Sequence, residues 1–555
     1  MKSLALTNLN TSMTNKALLF LLALTFSACS IFKTGPETPP PTIYSFSNEI
    51  TKDRLYSDLA VLAHDSLQGR ETGTIGEEKA ARYLSKRYAE IGLKPVGDDN
   101  SYFQHYELTQ PAVDQITYRL TKGDEVVDNS IHNTQQIGNF VTLFAGSDSV
   151  NGPIVFAGAG MFNEAEGINH YPEDLSGKWL FVLYNQSSTN MQYLQRALTS
   201  GGAIGTILVV GTDTTDYIQE SKTRQNYFGR GQGLNLKYLQ EDDGSTSPAF
   251  NRVHPELGAQ MLGLKSLEAL AETQSKILAE PASFQAKLLD GQTLHHHPVV
   301  NQNTVHTKNV VALLEGSDPE LKDEIVVLSA HYDHVGVGQP DSTGDNIYNG
   351  ADDDGSGTVA TLHTAQAMAE AKAAGVGPKR SVLFLSVSGE EKGLLGSRYY
   401  SDHPIFSIDN TVANINIDMI GRVDPEHQGA DSSYVYIIGG KIISSQMDSL
   451  TKMANVMGPN LVLSDRYNDL EDPNQFYRRS DHWNFGRLGV PFVFFFNGTH
   501  EDYHRPQDHI EKITFEPYLK RTHLVYNLTA LLANSPERPQ VDNQEFIEKT
   551  QVDPR

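Results

Sequence analysis

From Thr307 onward the chain carries four continuous apolar runs, EIVVLSA (Glu324–Ala330), SVLFLSV (Ser381–Val387), VANINI (Val412–Ile417) and VPFVFFF (Val490–Phe496). Runs of this length rich in β-branched and aromatic residues show no in–out alternation, so both faces of each strand must be covered. The helical stretch GTVATLHTAQAMAEA (Gly357–Ala371) lies between the first two and can supply such a cover. This pattern predicts an α/β fold with a mostly parallel sheet covered by helices on both faces. Sheets of that kind bind ligands beyond the carboxyl ends of their strands, so the residues just after each run carry the functional question.

Those residues share one chemistry. HYDH (His331–His334) follows the first run, SGEE (Ser388–Glu391) the second, DMIGR (Asp418–Arg422) the third and, after a short loop, GTHEDYHRPQDH (Gly498–His509) the fourth. GADDDGSG (Gly350–Gly357) lies in the connection between the first two. A single aspartate after a strand is usually a turn or capping residue. Five segments delivering His, Asp and Glu to one rim have no such explanation. Three adjacent aspartates also exceed what one helix N-terminus can neutralise, since that dipole stabilises an anion by about 0.3–1 kcal/mol. In an extended segment neighbouring side chains face opposite ways, so the first of the three, Asp352, can turn inward towards a cation. Imidazole with carboxylate and no thiolate suits zinc, or cobalt or manganese, and the number of carboxylates points to two ions sharing an aspartate.

In order and in wording, HYD, GADDDGSG, GEEKGLLGS, IDMIGR and YHRPQD resemble the co-catalytic di-zinc exopeptidases, which include bacterial leucyl aminopeptidases, aminopeptidase Y and the glutamate carboxypeptidases. The resemblance covers Asn309 to about Leu532 and the N-terminal helical segment. It implies that His331 and Asp418 hold one zinc, Glu391 and His504 the other, and that Asp352 bridges them. It further implies that Glu390 is the general base, that Tyr503 helps to stabilise the oxyanion, and that Asp333 orients the His331 imidazole. Asp353 and Asp354 are then left with backbone geometry and helix capping, and His334 with no role. The block with EDLSGKWLFVLYN and ALTSGGAIGTILV resembles the protease-associated domain inserted into such enzymes. The expected activity is removal of N-terminal residues from peptides. Arg478, Arg479 and Arg505 near the rim keep a carboxypeptidase or dipeptidase open as the alternative, because those enzymes bind a terminal carboxylate. A non-catalytic peptide-binding lipoprotein is the alternative from another class. A single-zinc glutaminyl cyclase is disfavoured by the full set of five ligand positions.

The remainder of the chain frames this site. Its 555 residues exceed one ordinary domain, and a net charge of −24 argues against a nucleic-acid partner. Lys16 precedes an apolar run, ALLFLLALTF (Ala17–Phe26), too short to span a bilayer but suited to a signal peptide, and Cys29 follows as the only cysteine. FSAC resembles a bacterial lipoprotein signal, which implies lipidation of Cys29 and a place in the cell envelope. Phe26 departs from the aliphatic residue usual there and leaves secretion as the alternative. The expected organisation is a signal peptide over 1–28, a tether over 29–48, a helical part of the peptidase domain over 49–107, the β-rich insert over 108–300, the zinc peptidase domain over 301–535 and a tail over 536–555. The histidine triplet His295–His297 lies on an extended chain whose neighbours diverge, so it makes no good metal site.

Overall fold

The computed structural model describes residues 41–551 apart from 133–135, 147, 212, 229–232, 240–247, 428, 430 and 431. The apolar run, Cys29 and most of the tether lie outside the described residues. Helix α1 (Lys52–Leu62) starts at Thr51 and α2 (Ile75–Ile91) at Thr74, each threonine hydroxyl accepting a backbone N–H of the first turn. The apolar stripes Leu55, Leu59, Leu62 and Ala80, Leu84, Tyr88 are fully buried, as their spacing requires.

Strand β1 (Phe103–Lys122) then leaves this half of the molecule. The middle block contains β2 (Val150–Phe156), β3 (Trp179–Tyr184), helix α3 (Met191–Thr199), β4 (Gly205–Val210), β5 (Ala249–Val253) and helix α4 (Leu267–Ala279). Strand β6 (Lys287–Leu314) returns antiparallel to β1, paired from Gln292↔Lys122 to Val310↔Phe103. The changes of texture near residues 108 and 300 therefore fall inside two continuous strands. Strands β2, β3, β4 and β5 run parallel, and with α3 and α4 they give the block more α/β character than its short strands and turns suggest. It has its own core, in which Trp179, Phe181, Ile207, Val253 and Leu270 meet. His296 faces that core and its Nε2 lies 2.7 Å from the Ala145 carbonyl oxygen, whereas His295 and His297 share the other face of β6. The triplet is thus split across the strand.

The remaining elements are β7 (Ile325–His331), α5 (Gly357–Ala373), β8 (Ser381–Val387), α6 (Leu395–Asp402), β9 (Thr411–Ile417), β10 (Tyr434–Gly439), β11 (Phe492–Phe496) and α7 (Phe515–Asn534). The four apolar runs are β7, β8, β9 and β11, and every residue in these strands is buried. Their order in the sheet is β10-β11-β9-β7-β8-β6, the inner four being parallel and the flanking two antiparallel. Period-2 alternation divides each strand between two cores. Val326 and Leu328 pack with α1, α2, α5 and α7, while Ile325 and Val327 pack with Tyr400 of α6 and Phe485. Among the described residues no helix is long and apolar enough to cross a membrane.

Candidate metal centre

Because β7, β8, β9 and β11 are parallel, their carboxyl ends share one edge. His331 is the last residue of β7, Asp418 follows β9 directly, Glu390 and Glu391 follow β8, and His504 lies in the loop after β11. The structure brings all of them together around Asp353. His331 Nε2 lies 3.3 Å from Asp353 Oδ1 and 3.6 Å from Asp418 Oδ1. His504 Nε2 lies 3.1 Å from Asp353 Oδ2 and 3.0 Å from Glu391 Oε2. One aspartate thus offers one oxygen to each of two imidazole–carboxylate groups.

The shared aspartate is Asp353 and not Asp352. Asp352 Oδ1 accepts from Gly421 N at 2.6 Å and Ser356 Oγ at 2.8 Å, and its Oδ2 faces His500 Nε2 at 3.4 Å. The expectation failed because Ala351–Ser356 is an irregular turn rather than an extended run, so alternation of faces does not apply. Gly350 opens the turn with φ 58°. A Cβ there would sit 2.3 Å from the Asp353 carbonyl oxygen and 2.6 Å from the His334 ring. Asp508 Oδ2 holds the turn from outside, accepting from Asp352 N at 2.9 Å and Asp353 N at 3.1 Å. Asp354 behaves as a cap: Oδ1 accepts from Gly357 N at 2.9 Å and Met419 N at 3.1 Å, and Oδ2 from His331 N at 3.2 Å. The buried Arg70 guanidinium donates to the carbonyls of Leu62, Tyr332, Asn349 and Gly350, tying the end of β7 to the start of the aspartate turn.

Two further expectations change. His334, left without a role by the sequence, is fully buried at the site, with Nδ1 2.8 Å from Glu391 Oε1 and 3.7 Å from Asp353 Oδ2. Asp333 supports the site differently from the role expected of it. Its carbonyl oxygen, at 3.2 Å, faces His331 Nδ1 more closely than its carboxylate does at 3.7 Å. The carboxylate instead accepts from Thr72 Oγ1 at 2.9 Å and Glu390 N at 3.3 Å, fixing the start of the Glu390–Glu391 segment. Ser480 Oγ donates to Asp418 Oδ2 at 2.9 Å and leaves Oδ1 towards His331.

The electrostatics separate the two glutamates. Burial acts to raise both. For Glu391 the neighbouring His334 and His504 win and hold its pKa down to about 2. For Glu390 burial prevails, helped by Asp418, Asp481 and Glu391 and opposed by His331, so its pKa lies well above the usual carboxylate range. Burial of His504 is outweighed by Asp353 and Glu391, which hold its proton up to about 11. Tyr503 lines the same pocket with its ring stacked on His504, centroids 3.8 Å apart.

The residues fit metal. Among the described residues Asp353 Oδ2, His334 Nε2 and His504 Nε2 are buried with no hydrogen-bond partner. Asp353 Oδ2 and His504 Nε2 face each other without hydrogen-bond geometry, as two ligands of one ion would. Ligands about 2.0–2.2 Å from a tetrahedral ion lie roughly 3.3–3.6 Å apart, close to the separations around His331. Among the described residues, two groups of donor atoms are compact enough to hold an ion, His331–Asp353–Asp418 and His334–Asp353–Glu391.

The chain matches peptidase family M28 over residues 309–529. That match covers less than half of this chain and shows a likeness of the segment to the family. Aminopeptidase YwaD of Bacillus subtilis is 27% identical over 268 residues, 47% of this chain and 49% of that protein. A probable leucine aminopeptidase 2 of Aspergillus oryzae is 30% identical over 200 residues, 35% of this chain and 34% of that protein. The chain thus spans about half or less of the length of these relatives. The solved aminopeptidase of Aneurinibacillus sp. strain AM-1 aligns with a TM-score of 0.52 and 18% identity, covering 90% of this chain and 98% of that one. The fold is therefore shared across the middle block as well as the segment that matches the family. Sequence reasoning missed Asp353, His334 and Asp508 within that segment, and Arg70 before it. The second histidine of HYDH and the final aspartate of RPQD were the available signals.

Proposed function

We propose that the protein is a zinc-dependent exopeptidase that removes N-terminal residues from peptides. The observation that carries this is the placement of Asp353 between His331–Asp418 and Glu391–His504, with Glu390 beside them facing the pocket. His331, Asp418 and Asp353 would hold one zinc, and Glu391, His504 and Asp353 the other; the names of relatives described as zinc metalloproteases and aminopeptidases support this reading. Zinc, when bound, activates the peptide carbonyl and the attacking water as a Lewis acid. Glu390, which lines the pocket beside Asp418, takes the proton from that water and returns it to the leaving amine. Tyr503 donates to the carbonyl oxygen as negative charge develops on it. Asp333 holds Glu390 in place through its backbone N–H, and His334 orients Glu391. Aminoacyl chromogenic substrates test the proposal: hydrolysis that a chelator abolishes and zinc restores, with about two metal equivalents per chain, is expected. Full activity at one equivalent, or activity indifferent to chelator, contradicts it.

The proposal extends to the ends and the insert. The residues 108–300 are read as a protease-associated domain, and Ala17–Cys29 as a lipoprotein signal that places the enzyme on the bacterial envelope through Cys29. Cys29→Ser should release the protein from the detergent phase or leave its signal uncleaved. Identical partitioning and processing of both forms would favour secretion.

A further inference from the structure

The pocket over Asp353, Glu390 and Asp418 is walled by Met419, Phe476, Phe494 and Phe496, and a single arginine lines it, Arg479. Its two companions in the sequence go elsewhere. Arg478 lies over the Tyr477 ring at 5.8 Å and bonds the Gln475 side chain, and Arg505 is exposed outside the pocket lining. Arg479 lies 5.0 Å over the ring of Phe476, itself a wall of the pocket and packed at a tilt against Phe496. It makes no ion pair with any carboxylate among the described residues, in a chain of net charge −24. An exposed guanidinium laid on an aromatic face has its stem fixed while its fork of N–H donors stays free.

We propose that Arg479 recognises a carboxylate of the substrate. The inference rests on the exopeptidase reading and narrows its substrate class to peptides that bring an anionic group to this rim. Two sources carry that chemistry: an acidic side chain on the terminal residue, or the free C-terminus of a very short peptide. The apolar walls receive the methylene or aliphatic part of the bound residue and the guanidinium receives its charge. Phe476 acts with Arg479, because the ring sets where the fork lies. A planar, bidentate pairing of this kind is geometrically selective, so a lysine in its place keeps the charge and loses the fork.

The test uses the zinc-loaded full chain and four substrates: leucine anilide, glutamate anilide, the dipeptide Leu-Gly and its C-terminal amide. kcat/KM is measured for wild type, Arg479→Met, Arg479→Lys and the neighbouring control Arg478→Met. A charge-assisted contact predicts that Arg479→Met lowers one acid-to-neutral ratio of kcat/KM by about 10- to 100-fold, that Arg479→Lys lowers it less, and that Arg478→Met leaves it unchanged. A fall in the glutamate-to-leucine ratio identifies the side chain as the source, and a fall in the dipeptide-to-amide ratio identifies the C-terminus. Unchanged ratios in Arg479→Met, or equal losses on all four substrates, overturn the proposal while leaving the peptidase reading intact. Failure of the wild type on every substrate overturns both.

Discussion

Replacing Asp353 and Asp352 by asparagine, one at a time, separates the shared ligand from its neighbour. Asp353 faces His331 Nε2 at 3.3 Å through Oδ1 and His504 Nε2 at 3.1 Å through Oδ2. Asparagine keeps one oxygen, turns the other position into an N–H donor and removes the charge. Since loss of an outer-shell partner alone costs about 10–100-fold in metal affinity, loss of a ligand common to both groups should cost at least ~100-fold. With free zinc at about 100 times the wild-type Kd, binding stabilises the wild type by ~2.7 kcal/mol, and after a 100-fold loss by only ~0.4 kcal/mol. That difference of ~2.3 kcal/mol removes roughly 5–9 °C from the rise in Tm that zinc produces, for a domain of this size. Asp352→Asn behaves otherwise. Its oxygen still accepts from Gly421 N and Ser356 Oγ, so it loses charge assistance, ~1 kcal/mol for each bond, and the charge that faces His500. Tm then falls in chelated and zinc-loaded protein alike, and the zinc-induced rise survives. The assay is thermal unfolding with and without chelator, paired with metal analysis. If Asp352→Asn abolishes the rise while Asp353→Asn preserves it, the ligand assignment is wrong.

The strands, their parallel order and the rim they share were legible because both-face burial demands continuous apolar runs, which no surface element mimics. The chemistry was legible because each run ends directly in donor residues. What escaped was local backbone geometry. Three identical side chains in Asp352, Asp353 and Asp354 cannot be told apart by composition, and only the turn opened by Gly350 decides which one faces the cluster. His334 escaped for a related reason: alternation from His331 says nothing once β7 has ended and the chain bends back against α2's preceding loop, where Glu71 and His334 form an isolated bridge. The same limit applies to Arg478 and Arg479, adjacent and alike in sequence but held over different rings. In the middle block, WLFVLY and GTILVV are continuous apolar runs of the kind that marks parallel strands, a signal diluted by the many turns around them.

Glu390→Gln should keep both metals and lose kcat by about 10²–10⁴-fold, because a proton carrier has gone and no ligand has. Glu391→Gln should lose metal and regain part of its activity in added zinc or cobalt, as metal analysis across a titration will show. His334→Gln should weaken metal retention by about 10–100-fold without abolishing kcat at saturating zinc, since it acts through Glu391. Glu77 gives a prediction for pH. It lies buried in α2, where burial pushes its pKa up to about 7 although Ser388 Oγ, Thr307 Oγ1 and Gly73 N all donate to it. A carboxyl that holds its proton more tightly folded than unfolded stabilises the fold below its unfolded pKa of about 4.3, and this contribution is lost as pH rises through 7. A rise from about 4.3 to about 7 corresponds to roughly 3–4 kcal/mol at most. Glutamine keeps an acceptor for the same donors and never ionises, so in chelated protein Glu77→Gln should raise Tm at pH 8 relative to wild type and change it little at pH 5. An equal shift at both pH values would show that Glu77 is ionised in the folded protein throughout, and that the surrounding hydroxyls, rather than its burial, control its proton.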